Sequence, residues 1–162
     1  MRIGQGFDVH RLIAGRPLIL GGLPIASEHG LDGHSDADVL AHAVGDALLG
    51  AIGAGDLGVH FPSSDPRWRG ASGAALLEPI LLRVAAAGYE IANVDSTLVA
   101  QVPRLAPHRA GIQKSLAGLL GIPEDKVNVK LKSTDGLGAL GRGEGIAAQA
   151  VVLLVESGVV ES

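Results

Sequence analysis

Residues 33–46 read Gly33-His34-Ser35-Asp36-Ala37-Asp38-Val39-Leu40-Ala41-His42-Ala43-Val44-Gly45-Asp46 and combine a polar half with an apolar half. In the polar half, Ser35, Asp36 and Asp38 can each accept hydrogen bonds from the free N–H groups of a first helical turn. From residue 39 onward, apolar side chains recur at helical spacing. The stretch therefore predicts a loop followed by a helix that ends near Gly53.

Three ionisable side chains of this predicted helix, Asp38, His42 and Asp46, are four residues apart and lie near one helix face. A histidine flanked in this way can bind a metal ion, with a neighbouring carboxylate holding its second ring nitrogen. The alternative is a solvated polar face of an amphipathic helix. For this stretch alone, the solvated face is the preferred interpretation, because polar helix faces usually contact water.

The composition is typical of a globular chain with an aliphatic core. Among the 162 residues, hydrophobic types make up 47% and aromatic types only 2%, so the core must be packed from Leu, Val, Ile and Ala. A chain of this length without a repeat or a linker predicts a single domain over residues 1–162. The formal net charge of −4 argues against a nucleic-acid-binding surface, which requires a basic stripe.

Cysteine is absent, so disulfides and thiolate zinc sites are excluded, and any zinc must be bound by histidine and carboxylate. No apolar run approaches the ~20 residues that span a bilayer, and no signal peptide is visible. These features predict a cytoplasmic chain with no membrane partner and no nucleic-acid partner.

The other elements follow from periodicity and turn residues. In chain order they are a strand over 2–12, a hairpin over 18–25, a helix over 72–87, a strand over 89–101, a helix over 108–120, a strand over 127–132, a glycine-rich loop over 136–145 and a strand over 146–155. Pro79 should kink or restart the second helix. The last strand is apolar at most positions, which predicts burial on both faces. This order predicts an α+β two-layer sandwich, with a mixed four-stranded sheet covered by helices.

Two side chains of the first strand are candidate metal ligands. Asp8 and His10 are two residues apart and therefore share one strand face. With His42 they supply one carboxylate and two imidazoles, a donor set typical of a catalytic zinc site with an open fourth position. A simple Asp–His hydrogen bond is the alternative, because spacing alone does not bring His42 to the strand.

A second polar cluster precedes two glycines near the end of the chain, Gly136 and Gly138. Lysines, hydroxyls and freed backbone amides make a plausible phosphate cradle there, and Asp135 is available to a hard cation. The alternative is a surface turn with two solvated lysines. Residues 62–71 are rich in turn formers and predict a mobile flap, in which Trp68 is either a lid residue or a surface anchor.

Motifs of one known family occur in order along nearly the whole chain. They are Arg2-Ile3-Gly4, Gly6-Phe7-Asp8-Val9-His10, Gly33-His34-Ser35-Asp36-Ala37-Asp38, His42, Gly55-Asp56-Leu57-Gly58, Phe61-Pro62, Asn93-Val94-Asp95, Ala100-Gln101, Pro103, Pro107-His108 and Gly141-Arg142-Gly143-Glu144-Gly145-Ile146-Ala147. Together they resemble the 2-C-methyl-D-erythritol 2,4-cyclodiphosphate synthase family. The resemblance implies a lyase of the non-mevalonate isoprenoid pathway. Such an enzyme cyclises 4-diphosphocytidyl-2-C-methyl-D-erythritol 2-phosphate and releases CMP.

The resemblance also implies roles for particular residues. Zinc, one ion per subunit, would bind Asp8, His10 and His42, and Asp135 would bind magnesium or manganese. His34 and Ser133 would act as catalytic residues that stabilise the transition state. The implied substrate-binding residues are Asp8, Val9, His10, His34, Ser35, Asp56, Leu57, Gly58, Phe61, Pro62, Ser63, Ser64, Asp65 and Arg142. The implied nucleotide-binding residues are Ala100, Gln101, Val102, Pro103, Arg104, Leu105, Ala106, Leu131, Lys132, Ser133 and Thr134.

The family is a homotrimer with its sheets around a central axis, so the resemblance implies interfacial active sites and an apolar axial channel. That channel could bind a prenyl diphosphate, and Arg142 and Glu144 would lie at one end of it. The chain departs from the family pattern at Gln5, Ser63, Arg104, Ala139 and the run Lys132–Asp135. These departures affect the nucleotide contacts and the geometry of the second metal site.

Two other functions compete with the implied one. A zinc-dependent phosphohydrolase would use the same three ligands to activate water, but it would leave Ala100–Ala106 and Arg142–Ala147 without a role. A non-enzymatic trimer would bind prenyl diphosphates, and its metal would be merely structural. Product analysis distinguishes the first alternative, and binding without turnover would indicate the second.

Overall fold

This computed structural model describes residues 1–158, which contain seven strands and five α-helices. The strands are β1 (Arg2–Ala14), β2 (Leu18–Leu20), β3 (Leu23–Ile25), β4 (His29–Leu31), β5 (Tyr89–Val99), β6 (Val127–Lys132) and β7 (Gly145–Glu156). The helices are α1 (Val39–Ala51), α2 (Leu57–His60), α3 (Gly73–Ala86), α4 (Arg109–Leu120) and α5 (Gly138–Gly141). Short 3-10 turns occur at Pro66–Trp68, Ala106–His108 and Glu124–Lys126.

The main sheet has five strands in the order β4-β1-β7-β5-β6. Only β5 and β6 pair in parallel, so the predicted mixed α+β sheet is confirmed. The predicted number of four strands is wrong, because β4 adds an edge strand. Strand β4 pairs Leu31 with Leu12 and His29 with Ala14. The second pair lies beyond residue 12, where the first strand is predicted to end. A three-residue strand centred on a glycine has no alternation to detect. The predicted hairpin forms as a separate two-stranded sheet of β2 and β3.

Two glycines of β1 allow helix α1 to lie directly on the sheet. A Cβ atom at Gly4 would lie 1.9 Å from the carbonyl oxygen of Ala47, and one at Gly6 would lie 1.9 Å from that of Ala43. No other residue fits such a close approach. The next residue of β1 on that face is Asp8, so the contact brings it beside His42.

The N-terminus of α1 is held by a buried carboxylate. Asp38 accepts hydrogen bonds from the amides of Ala41, Gly21 and Gly22 at 3.0, 2.9 and 2.7 Å. Asp38 therefore caps helix α1 and fixes the hairpin turn. The preferred interpretation of this helix face as a solvated polar face is wrong. Asp38 is 0% exposed and His42 only 8%. The sequence did not reveal that the hairpin covers this end of the helix.

Helices α1, α3 and α4 contribute to one core against the sheet, packed mainly from Leu, Val, Ile and Ala as predicted. Helix α3 runs uninterrupted through Pro79, so the predicted restart does not occur. In strand β7 one face is buried, whereas Val151, Leu153 and Val155 on the other face are half-buried; the prediction of burial on both faces is wrong for the single chain. None of the helices within residues 1–158 is long and apolar enough to cross a membrane.

Candidate metal centre and active site

Three predicted metal ligands meet where β1 passes under α1. Asp8 Oδ2 lies 2.9 Å from His10 Nε2 and 2.9 Å from His42 Nδ1, and the two imidazole nitrogens are 3.2 Å apart. Zinc bonds of 2.0–2.1 Å in a tetrahedron separate neighbouring donor atoms by about 3.3 Å. The three donors therefore converge on one point with nearly the spacing that zinc requires, so this residue set fits the ion.

Contacts around the ligands orient both imidazole rings. His10 Nδ1 lies 2.7 Å from the carbonyl oxygen of Asp32, which can only accept, so Nδ1 carries the proton and Nε2 is free to bind a metal. His42 Nε2 lies 3.1 Å from Ser35 Oγ, which leaves Nδ1 facing Asp8. Ring orientation of this kind is typical of histidines that bind metals.

The charges of this site favour a cation. Burial of the Asp8 carboxylate acts to raise its pKa, but hydrogen bonds from His10 and His42 outweigh burial, and the pKa lies well below its ordinary value. The hydrogen bond to Asp8 in turn raises the pKa of His10. A metal ion can replace the proton shared in this cluster, because both supply positive charge beside the carboxylate.

The three ligands line a cavity of about 300 Å³. The other lining residues are His34, Ser35, Asp46, Leu57, Gly58, Phe61, Ser63, Trp68 and Leu76. The cavity thus gathers one predicted catalytic residue and most of the predicted substrate-binding residues. It does not gather Val9, Asp56, Pro62, Ser64, Asp65 or Arg142. Val9 alternates to the opposite face of β1 and is 50% exposed, which is why its side chain is absent from the wall.

Asp46, Trp68 and Leu76 line the cavity although none is among the predicted site residues. Asp46 accepts a hydrogen bond of 2.8 Å from the amide of Leu57, and burial raises its pKa. Its position four residues after His42 is the sequence feature that could have identified Asp46 as a cavity residue. Leu76 offered none, because a leucine in an amphipathic helix is ordinarily a core residue.

The loop before α1 presents two polar groups to the cavity. Ser35 Oγ accepts a hydrogen bond from the amide of Ala37 at 3.1 Å, besides its contact with His42. His34 Nε2 is buried and has no hydrogen-bond partner within residues 1–158. Arg16 holds this loop from outside, since its guanidinium donates to the carbonyl oxygens of Gly33 and Ser35 at 3.2 Å each. The loop is therefore fixed while His34 remains available to a ligand.

The predicted nucleotide-binding residues form a second cavity of about 390 Å³. It is lined by Leu98, Ala100, Gln101, Pro103, Arg104, Leu105, Ala106, Leu131, Lys132 and Ser133. Val102 and Thr134 are the predicted residues that do not line it. No residue lines both cavities. Val9, which lies between two of the candidate ligands on β1, is in register with Ala147, Val99 and Lys132 on the next three strands. Because Lys132 lines the second cavity, the two sites are three strand spacings apart, about 14 Å across the sheet.

Asp135 lies away from the three candidate zinc ligands Asp8, His10 and His42, at an exposed turn where its φ is 52°. Its carboxylate accepts a hydrogen bond of 3.2 Å from Ser133 Oγ. Within residues 1–158, the one cluster of three His, Asp or Glu donors is Asp8, His10 and His42. A single chain therefore does not bring the predicted second metal ligand, or the predicted catalytic Ser133, to the first cavity.

The chain is similar to known proteins along nearly its whole length. The chain matches the YgbB family over residues 1–155. It is 58% identical over 154 residues to the 2-C-methyl-D-erythritol 2,4-cyclodiphosphate synthase of Burkholderia thailandensis, covering 95% of each chain. It is 57% identical over 153 residues to the synthase of Bordetella avium, covering 94% of each.

Solved structures give the same result. A structure of 2C-methyl-D-erythritol-2,4-cyclodiphosphate synthase in its CDP-bound form superposes with a TM-score of 0.88 at 43% identity, covering 95% of this chain and 100% of that one. The bifunctional IspDF of Campylobacter jejuni superposes with a TM-score of 0.91 at 40% identity, covering 96% of this chain and 42% of that longer one. The chain belongs to the YgbB family, whose matching members are 2-C-methyl-D-erythritol 2,4-cyclodiphosphate synthases.

Proposed function

We propose that this chain converts 4-diphosphocytidyl-2-C-methyl-D-erythritol 2-phosphate into 2-C-methyl-D-erythritol 2,4-cyclodiphosphate and CMP. The observation that carries the proposal is the cavity in which Asp8, His10 and His42 converge beside His34 and Ser35. A metal ion on these three ligands, with imidazole and hydroxyl donors in the same concave site, would suit a ligand with two phosphates. The names of the relatives supply the identity of the product, and one solved relative is in a CDP-bound form.

Asp8, His10 and His42 would hold one zinc ion per chain. When bound, the ion supplies positive charge that neutralises phosphate oxygens as the reaction proceeds. The protein side chains bind and orient the substrate. No protein nucleophile is needed, because an oxygen of the substrate's own 2-phosphate forms the new bond to the β-phosphorus. The bond from that phosphorus to the bridging oxygen breaks, and CMP leaves with the electron pair.

Ser35 is arranged to donate its hydroxyl proton to the ligand. If His42 held a cation through Nδ1, its ring proton would reside on Nε2 and would be donated in a hydrogen bond to Ser35 Oγ. The amide of Ala37 donates to the same oxygen, so both lone pairs are used. The hydroxyl hydrogen is then left for a phosphate oxygen. His34 Nε2, which is buried without a partner in the described chain, is the second donor to the 2-phosphate.

Helix α2 would hold the methylerythritol hydroxyls. Asp56 caps this short helix by accepting a hydrogen bond of 3.0 Å from Val59 N. Asp46 fixes the same turn through the amide of Leu57. Val9, Phe61 and the flap residues Pro62, Ser63, Ser64 and Asp65 complete the proposed binding set, together with Arg142.

The nucleotide half of the site would come from a neighbouring chain of a homotrimer. The cavity around residues 100–106 lies about 14 Å from the metal ligands in one chain and shares no residue with their cavity. Association is supported by an exposed apolar sheet face, on which Ile3, Phe7 and Val9 are 71%, 58% and 50% exposed. Three such faces would surround an axis, where a prenyl diphosphate could bind.

The neighbouring chain would also bring Ser133 and Asp135 to the phosphates. Ser133 would stabilise the transition state, and Asp135 would bind magnesium or manganese. Lys132 and Thr134 would flank them in the nucleotide site, with Val102 on the loop opposite. A cytoplasmic location remains a prediction of the sequence.

The alternative that the zinc-type ligands permit is a phosphohydrolase. The test is to incubate the substrate with zinc-loaded protein and to separate the products by ion-exchange chromatography. The proposed function predicts CMP and cyclic diphosphate in equal amounts, without orthophosphate. A hydrolase would release an acyclic methylerythritol phosphate or orthophosphate, and either product would refute the cyclisation.

A further inference from the structure

Trp68 forms part of the wall of the metal-ligand cavity and is held there from two sides. Its ring packs edge-on against Phe61, with the ring centroids 4.8 Å apart and the planes at 87°. The guanidinium carbon of Arg67 lies 5.9 Å from the centroid of the same ring. Arg67 is itself fixed by a hydrogen bond of 2.9 Å to Asp65. These contacts give the indole a defined place at the cavity.

The indole nitrogen has no hydrogen-bond partner in its present surroundings. Trp68 Nε1 and His34 Nε2 are the two buried side-chain polar atoms within residues 1–158 that lack one. Both residues line the metal-ligand cavity. A buried N–H without an acceptor is costly and rare, and it requires an explanation. Because Trp68 forms part of the wall of a ligand-sized cavity, a bound molecule can supply the missing acceptor.

Backbone hydrogen bonds tie the segment of Trp68 to the loop of His34. The amide of Gly70 donates to the carbonyl oxygen of His34 at 2.8 Å, and the amide of Asp36 donates to the carbonyl oxygen of Ala71 at 2.9 Å. The Asp36 carboxylate also accepts from the amide of Gly73 at 2.8 Å. The two unpartnered nitrogens are therefore carried by one connected unit, not by independent loops.

We propose that the Trp68 indole N–H donates a hydrogen bond to a phosphate oxygen of the ligand in this cavity, which makes Trp68 a binding residue. An indole N–H can only donate, and phosphate oxygens can only accept, so the pair is complementary. The identity of the ligand, the methylerythritol diphosphate part of the substrate, rests on the proposed function. The hydrogen bond requires the indole N–H of Trp68. A phenylalanine at this position would pack in the same way but would have no N–H to donate.

The chain contains one tryptophan, so its fluorescence reports on Trp68 alone. The zinc-loaded protein is titrated with the cyclic diphosphate product, and separately with CMP as the control. We expect the product to change the emission wavelength or intensity. We expect CMP to leave the emission unchanged, since most of the predicted nucleotide-binding residues line the other cavity. Emission that does not respond to bound product would contradict a contact with Trp68.

Two variants separate the N–H from the ring. Trp68→Phe keeps an aromatic ring against Phe61, and replacement of Trp68 by benzothienylalanine keeps the bicyclic outline but exchanges N–H for sulfur. Calorimetry should show roughly tenfold weaker product binding for both, the loss expected for one hydrogen bond to a charged group. KM should rise by a similar factor with little change in kcat, because the contact is made with the bound ground state as well.

Product binding by benzothienylalanine protein that equals the parent's would overturn the proposal, and would mean that water accepts from the indole. Weaker binding by Trp68→Phe alone would also overturn it, since ring size would then be the cause. Parent protein that yields CMP and the cyclic diphosphate keeps the proposed function intact in either case. Parent protein that neither binds the product nor turns over substrate would contradict both.

Discussion

The two histidines among the candidate metal ligands are oriented by neighbouring groups. Asp32 fixes the tautomer of His10, and Ser35 contacts the far nitrogen of His42. The Gly6 contact with Ala43 brings strand and helix close enough for the ligands to meet. The site is therefore specified by backbone groups and small residues as much as by the ligands.

Removal of one imidazole should abolish metal binding. His42→Ala should leave only Asp8 and His10, too few ligands for a tight zinc site. We expect zinc content, measured by mass spectrometry, to fall from one ion per chain to near zero, with loss of nearly all activity. His108→Ala is the matched control, because this histidine lies on a 3-10 turn outside the cluster, and it should keep its zinc. Full zinc occupancy in His42→Ala would refute the assignment.

Asp135 is predicted to act through its charge on a second cation. Asp135→Ala should lose magnesium-dependent turnover while keeping zinc, because the zinc ligands are on other segments. Asp135→Asn is the sharper control, since asparagine also tolerates the positive φ of 52° but carries no charge. Asp135→Glu should retain substantial activity, because it preserves the carboxylate.

Activity should be measured against magnesium concentration for all three variants, with zinc content in parallel. An Asp135→Ala protein that titrates with magnesium like the parent would mean that Asp135 is only a turn residue. The second-metal role would then belong to another group.

The sequence predicts the chemistry of individual side chains better than their burial and contacts. Asp8, His10 and His42 were identified because carboxylate and imidazole chemistry is visible in the letters, and the structure brings their donors together. The burial of Asp38 was not visible, since it depends on the hairpin turn that covers it. The sequence does not distinguish a lid from a surface anchor at Trp68, because its contact with Phe61 is a tertiary one.

At the scale of elements, β5 and β6 form the parallel pair that supports the second cavity. Asp95 on β5 pairs with Lys130 on β6, and Asn128 donates to the same carboxylate at 2.9 Å. The hydrogen bond from Lys130 lowers the pKa of Asp95. A carboxyl group whose folded pKa is lowered contributes stability above its unfolded pKa, near 3.9, and loses it as the pH falls through the folded value.

Asp95→Asn should therefore destabilise the protein at pH 7, and the difference should shrink as the pH falls below the unfolded pKa of the carboxyl group. The loss should not exceed about 1 kcal/mol, because solvent screens a half-exposed pair. Urea unfolding across this pH range measures it. Lys130→Gln should show the same loss at pH 7, and the double variant should add little to either change. A difference that persists undiminished at low pH would show that the ion pair is not its cause.

Long periodic elements were predicted within a few residues, as α1, α4, β6 and β7 show. The edge strand β4 was missed because it has three residues and a glycine at its centre. Its pairing depends on where the chain returns after the hairpin, which is a tertiary contact. The same applies to β1, which continues to Ala14 only because β4 pairs with its end.

At the scale of the whole molecule, the sheet has one face covered by helices and one largely apolar face exposed. Burial of Ile3, Phe7 and Val9 requires other copies or another partner, and a closed ring of three would bury all equivalent faces. Light scattering at micromolar concentration should give three times the chain mass. An active monomer at that concentration would contradict both the trimer and the shared site.

In the proposed reaction, the substrate's own phosphate closes the ring in the cavity of Asp8, His10 and His42. The most direct test is the reaction in water enriched in oxygen-18, followed by mass spectrometry of both products. Attack by the 2-phosphate takes no oxygen from water, so neither CMP nor the cyclic diphosphate should contain the label. One oxygen-18 atom in CMP, or in a methylerythritol phosphate, would show that water is the nucleophile and would contradict the claim.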